Sequence, residues 1–167
     1  ASAITTAETA GSLVTIGIKP TWPCPSYGYI ERGEPLTSST TEHVPHEVSR
    51  FREKPAPSLA QTFLDAGNFA WNAGMFIWSI PTVTQELGQH TPELSAFIQK
   101  MQSTDDPASV IASDFSQLPA ISIDYALMEQ STKVLNIEAN FDWDDVGSWI
   151  SIARYLKPTD GKSKTNS

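Results

Sequence analysis

The chain has 167 residues, is 40% hydrophobic and carries a formal net charge of −8. That length suits one globular domain with a real core, and an acidic balance with scattered lysines and arginines excludes the phosphate-tracking surface of a nucleic-acid binder. No apolar run approaches the ~20 residues needed to span a bilayer, and the first residues lack a basic start followed by a hydrophobic stretch. A soluble protein with no membrane partner is therefore expected. Cys24 is the only cysteine, which excludes an internal disulfide and any multi-cysteine metal site and fits a reducing, cytoplasmic setting.

The alanine-rich opening, ending at Gly11, predicts the last turns of a helix with a glycine just past its end. Leu13 to Ile18 is a β-branched run of strand length, nearly continuous in hydrophobicity, as in a strand covered on both faces. A helix and a buried strand at the very start lead us to expect further chain before Ala1. Pro20 to Pro25 is turn-rich, Tyr27 to Glu31 predicts a short strand, and Gly33 to His46 a polar loop. Glu47 to Lys54 reads as a strand stopped by Pro55 and Pro57. A helix capped by Ser58, with Leu59, Ala60, Phe63 and Leu64 inward, ends at Gly67.

Phe69 to Trp78 predicts an aromatic strand. Ser79 followed by Pro81 marks the next helix start, with Val83 and Leu87 inward. Thr91-Pro92 repeats that signal before a helix burying Leu94, Phe97, Ile98 and Met101. Short helices are expected within 105–115 and 122–130, a strand over 133–139, and a last helix from Ser148 burying Trp149, Ile152, Ala153 and Leu156. Residues 158–167 read as a disordered polar tail. Strands and helices intermingle, so the class is α/β.

Five segments hold residues that folding alone does not require: Tyr27-Gly28-Tyr29-Ile30, Phe51-Arg52-Glu53-Lys54-Pro55, Trp71-Asn72-Ala73-Gly74-Met75-Phe76, Ser122 to Glu129, and Trp143-Asp144-Asp145-Val146-Gly147-Ser148-Trp149. On local grounds Gly28 serves either close backbone packing or access for a ligand. Glu53-Lys54 is either a solvated ion pair or part of a site. Asn72, a polar amide in an aromatic strand, must find partners, and Gly74 beside it gives up packing. Asp144-Asp145 suits either a helix N-terminus or a hard cation.

Together, and in this order, these segments and Leu13 to Thr21 resemble the mannose-1-phosphate guanylyltransferases within the sugar-phosphate nucleotidyltransferases. The resemblance covers residues 1–157. It implies the C-terminal portion of a Rossmann-like, glycosyltransferase-A-like domain with a mixed sheet and flanking helices. It also implies that Gly28 and Tyr29 offer backbone to sugar hydroxyls, that Glu53, Asn72 and Gly74 read the hexose, and that Lys54 neutralises its phosphate. Asp145 would hold a catalytic Mg²⁺, with Asp144 as its neighbour, while Asp124 and Tyr125 support the site. The implied reaction joins GTP and mannose 1-phosphate into GDP-mannose and pyrophosphate, with Lys54 and Asp145 as the catalytic pair.

The family's glycine-rich triphosphate segment and its second metal aspartate have no counterpart here. The expectation is accordingly an acceptor half that binds GTP poorly alone. Its interrupted sheet would leave a long apolar edge open to a second copy, giving a homo-oligomer. A non-catalytic sugar-phosphate-binding module, and a transferase for another hexose 1-phosphate, are the alternatives.

Overall fold

A computed structural model describes residues 1–37 and 42–146. The expected last helix from Ser148 and the tail over 158–167 lie outside the described residues. The fold is α/β, a mixed sheet with flanking helices. Its elements are α1 (Ser2–Ala10), β1 (Leu13–Ile18), β2 (Tyr29–Pro35), β3 (His46–Arg52), α2 (Pro57–Ala66), β4 (Phe69–Ile77), α3 (Ile80–His90), α4 (Pro92–Gln102), α5 (Pro107–Asp114) and β5 (Val134–Glu138). A 3₁₀ turn (Phe115–Gln117) and a π-helical turn (Asp124–Met128) stand between α5 and β5.

The strands pair in the order β1-β4-β2-β3-β5, and β5 returns to β1 to close the circuit. Only β1 and β5 run parallel; the other four pairings are antiparallel. Closure overturns the expected open edge. Among the described residues β5 pairs with β1 along Leu13–Gly17 and with β3 at His46 and Glu47, so a strand-edge route to a second copy has no free strand to use.

Three apolar groups fill the interior. One gathers Tyr29, Phe63, Phe69 and Trp71 beneath α2, with Phe63 and Phe69 stacked 4.1 Å between centroids. Another joins Leu13, Ile30 and Phe51 to Leu127 and Met128 of the π turn, with Val83 and Leu87 of α3 against it. Ala7 of α1 packs on Val14, Leu135 and Ile137.

Several boundaries differ from the sequence reading for identifiable reasons. The predicted loop from Gly33 gives up its first residues to β2, whose polar end is held by β3 through Arg32↔Val48 and Pro35↔His46. Its charges pair at the surface, Arg32 with Glu138 and Glu31 with Arg50. The cap of α2 is Ala56 rather than Ser58, because Pro57 takes the first helical position, where no N–H is needed. Ser79 does cap α3, accepting from the Thr82 amide at 3.2 Å. Thr91 takes the cap position of α4 before Pro92, but its side chain makes no cap bond: its hydroxyl turns back to donate to the Leu87 carbonyl at 2.8 Å. The helix expected over 122–130 is a single π turn.

Candidate functional site

The strand β3 ends at Arg52, and the chain then does something unusual. Lys54 has φ +45°, the one non-glycine residue with positive φ among the described residues, in a region that crowds Cβ against the backbone. The preceding Glu53 amide, past the end of the ladder, donates to Glu129 Oε1 at 2.9 Å. Glu53 itself is nearly buried, its side chain 9% exposed, and its carboxylate pairs with the largely exposed Lys54 ammonium. That hydrogen bond raises the Lys54 pKa, with the nearby Asp124 and Tyr125 adding to it, so Lys54 remains a cation throughout the neutral range.

Opposite Glu53 lies Gly28. A Cβ placed there would sit 2.5 Å from Glu53 Oε2 and 3.2 Å from Asn72 Cβ. The glycine is therefore needed for close approach, which resolves the choice left open by the sequence. Its carbonyl accepts from the Asn72 amide at 2.8 Å.

Asn72 is the hub of this cluster. Its Oδ1 accepts from the buried Thr15 hydroxyl at 3.0 Å and from the Gly74 amide at 3.2 Å. Its Nδ2 donates to Asp124 Oδ1 at 3.1 Å, leaving a second N–H for another acceptor. Gly74 is exposed at φ +68°, with open space where a Cβ would go. Between Thr15↔Phe76 and Gly17↔Asn72 the register shifts, so β4 bulges at this point. A left-handed bulge residue explains this glycine without invoking access.

The structure thus brings Gly28, Glu53, Lys54 and Asn72 together, with Gly74 attached through its amide. Asp124 is joined to this cluster by a direct bond from Asn72. Tyr29 is placed differently: its side chain is fully buried, tilted against Phe63 at 5.4 Å, and burial raises its phenol pKa. Its backbone, expected to meet sugar hydroxyls, is covered as well, lying in the ladder between Arg52 and Trp71. Thr15 and Glu129 were missed. A threonine within an apolar strand was the signal for the first; the second closes the segment Ser122 to Glu129 but was given no role.

Asp145 is exposed, and no hydrogen bond or ion pair among the described residues joins it to Glu53 or Lys54. Asp142 and Asp144 instead line a cavity of about 320 Å³ with Thr21, Trp22, Tyr27, Trp71 and Trp143. Among the described residues no three acidic, histidine or cysteine side chains converge as a metal cage. The donors are nevertheless hard carboxylate oxygens, which suits a Mg²⁺ ligated mainly by water and substrate phosphate. A larger cavity of about 900 Å³, between the α3–α4 junction and residues 115–130, is mostly apolar and shares only Tyr125 with the surroundings of Lys54.

Comparison with known proteins gives this cluster its context. The family model for nucleotidyl transferases matches residues 1–159. The chain belongs to the nucleotidyl transferase family. Within it, the chain is 41% identical over 150 residues to a mannose-1-phosphate guanylyltransferase of Sinorhizobium fredii, covering 87% of this chain and 28% of that protein. Another of that name, from Escherichia coli, is 36% identical over 156 residues, covering 91% of this chain and 32% of the relative. The chain thus spans about a third or less of the length of these curated relatives. Among solved structures, a Thermus thermophilus protein described as a mannose-1-phosphate geranyltransferase superposes with a TM-score of 0.74 at 31% identity, over 90% of this chain and 42% of that one. A Helicobacter pylori protein described as a mannose-6-phosphate isomerase gives 0.65 at 29% identity, over 86% and 55%. No helix among the described residues is long and apolar enough to cross a membrane.

Proposed function

We propose that this chain forms the acceptor side of a mannose-1-phosphate guanylyltransferase, binding mannose 1-phosphate for transfer of a guanylyl group from GTP. The observation that carries the reading is the meeting of a nearly buried carboxylate, a cation and a primary amide at Glu53, Lys54 and Asn72, packed closely over Gly28. A hexose phosphate needs these groups. The carboxylate accepts from hydroxyls, and the remaining Asn72 N–H can donate to one, its oxygen being taken by Thr15 and Gly74. The Lys54 ammonium, held charged, neutralises the phosphate.

In the reaction, a phosphate oxygen of mannose 1-phosphate attacks the α-phosphorus of GTP, the bond to the β-phosphate breaks, and pyrophosphate leaves. The work of these residues is to align an anionic nucleophile and hold its charge in place. Lys54 fixes the phosphate, and Glu53 and Asn72 fix the ring behind it. Gly28 lets the Glu53 carboxylate and Asn72 lie close against the backbone. Asp145 is the residue to hold a Mg²⁺, which when bound would offset charge on the phosphates. GTP is assigned to no described residue. The single cysteine, Cys24, buried as a free thiol, supports a reducing compartment such as the cytoplasm.

Calorimetric titration of this chain with mannose 1-phosphate, glucose 1-phosphate and unphosphorylated mannose tests the reading. Mannose 1-phosphate is expected to bind most tightly and mannose without phosphate the least. Equal binding of all three contradicts it. A sugar-phosphate-binding module without catalysis shares this step, and pyrophosphate release by the parent protein separates the two.

A further inference from the structure

The short segment 124–129 touches both sides of the site. Asp124 accepts from the Asn72 amide group on β4, and Glu129 accepts from the Glu53 backbone amide at the exit of β3. The two ends are tied to each other, since the Glu129 amide donates to the Asp124 carbonyl at 2.9 Å. Between them Ala126, Leu127 and Met128 are buried, Leu127 completely, so the turn is anchored in the core. A bracket built this way can hold β3 and β4 at a fixed separation.

What the bracket secures on the β3 side is the strained residue. Lys54 stands between an amide pinned by Glu129 and the buried Pro55. A lysine has no intrinsic preference for φ +45°, and such conformations persist only where the surroundings impose them. Its other neighbour cannot be the sole cause. Proline after Lys54 disfavours the right-handed helical region but leaves extended backbone open. In an extended conformation the Lys54 side chain would leave the pair with Glu53.

We propose that Glu129 is a positioning residue: by accepting the Glu53 amide it fixes the left-handed turn at Lys54 and so presents the Lys54 ammonium beside the Glu53 carboxylate to the sugar phosphate. This rests on the reading of the cluster as a mannose 1-phosphate site. Glu129 itself touches no substrate in this account. Its role needs an acceptor oxygen and no charge, which separates Glu129→Gln from Glu129→Ala.

The test compares wild type, Glu129→Gln, Glu129→Ala and Lys54→Ala by amide hydrogen exchange, backbone ¹³C shifts at Lys54 and calorimetry with mannose 1-phosphate. In Glu129→Ala the Glu53 amide should exchange about tenfold faster or more. The Lys54 shifts should move away from left-handed values, and binding should weaken about tenfold. Glu129→Gln should restore all three, and thermal unfolding shows whether each variant remains folded. A folded Glu129→Ala with unchanged Glu53 exchange and Lys54 shifts overturns the proposal, as does unchanged binding in that variant where Lys54→Ala loses it. If the wild type binds no mannose 1-phosphate, the functional reading fails. Exchange and shifts then still decide whether Glu129 sets the turn.

Discussion

Asn72 Nδ2 donates to Asp124 Oδ1 at 3.1 Å, joining residues 52 positions apart in sequence. With Thr15 and Gly74 donating to the other end of the amide, this side chain ties β1, β4 and the π turn together. Replacing Asn72 by Ala leaves the buried Thr15 hydroxyl without its acceptor and frees Asp124. The expected cost is about 1–3 kcal/mol, read from the urea midpoint, together with lost mannose 1-phosphate affinity. A variant as stable as the wild type would show the hub to be dispensable.

The two glycines of the site make opposite predictions. Gly74→Ala meets no atoms and should cost only the left-handed strain, about 1 kcal/mol, with ligand binding nearly intact. Gly28→Ala forces a methyl group toward Glu53 Oε2 and Asn72, so binding should fall about tenfold or more. Equal effects of the two on affinity would remove the distinction between a conformational and a clearance glycine.

Much of the scaffold was legible because its patterns are local. β1 was read from its β-branched run, α3 from Ser79 and Pro81, and β4 from its aromatics. The misreadings share a cause: the deciding partner lies far along the chain. The polar end of β2 is a strand because β3 pairs with it, and β5 closes the sheet by reaching both β1 and β3. In the site, Glu53, Lys54 and Asn72 declared themselves as polar residues in motifs. Glu129 acts through a backbone amide 76 residues away, a relationship that no spacing rule contains. Tyr29 was expected to offer its backbone to a sugar, but the motif does not reveal that its strand lies between two others, β3 and β4, which cover that backbone.

Acid sensitivity should centre on Glu86, which is 2% exposed. Burial alone would raise its carboxyl, but the Ser131 hydroxyl at 2.7 Å, Lys133 at 3.2 Å and His90 outweigh it and hold the pKa below the ordinary value. A depressed folded pKa contributes stability above the unfolded value of about 4.3, and that contribution is lost as pH falls through the folded value. Glu86→Gln should lower stability at pH 7 by about 1–3 kcal/mol and flatten the decline below about pH 4.3. Urea midpoints at neutral and acid pH measure both, and an unchanged acid slope would reject the assignment.

Metal dependence provides a separate check. If Asp145 holds Mg²⁺, Asp145→Asn should abolish any strengthening of mannose 1-phosphate binding by Mg²⁺ while leaving metal-free binding within about threefold of wild type. Asp144→Asn should retain the Mg²⁺ effect. The reverse pattern would move the ligand role to the residue that lines the aromatic cavity.

The most direct test is the calorimetric affinity of mannose 1-phosphate for the wild-type chain and for Lys54→Ala, without metal. The Lys54 ammonium is more than half exposed, so its removal should leave the fold intact. The account predicts measurable wild-type binding that weakens about tenfold or more in Lys54→Ala. A folded Lys54→Ala that binds mannose 1-phosphate as tightly as wild type would contradict it.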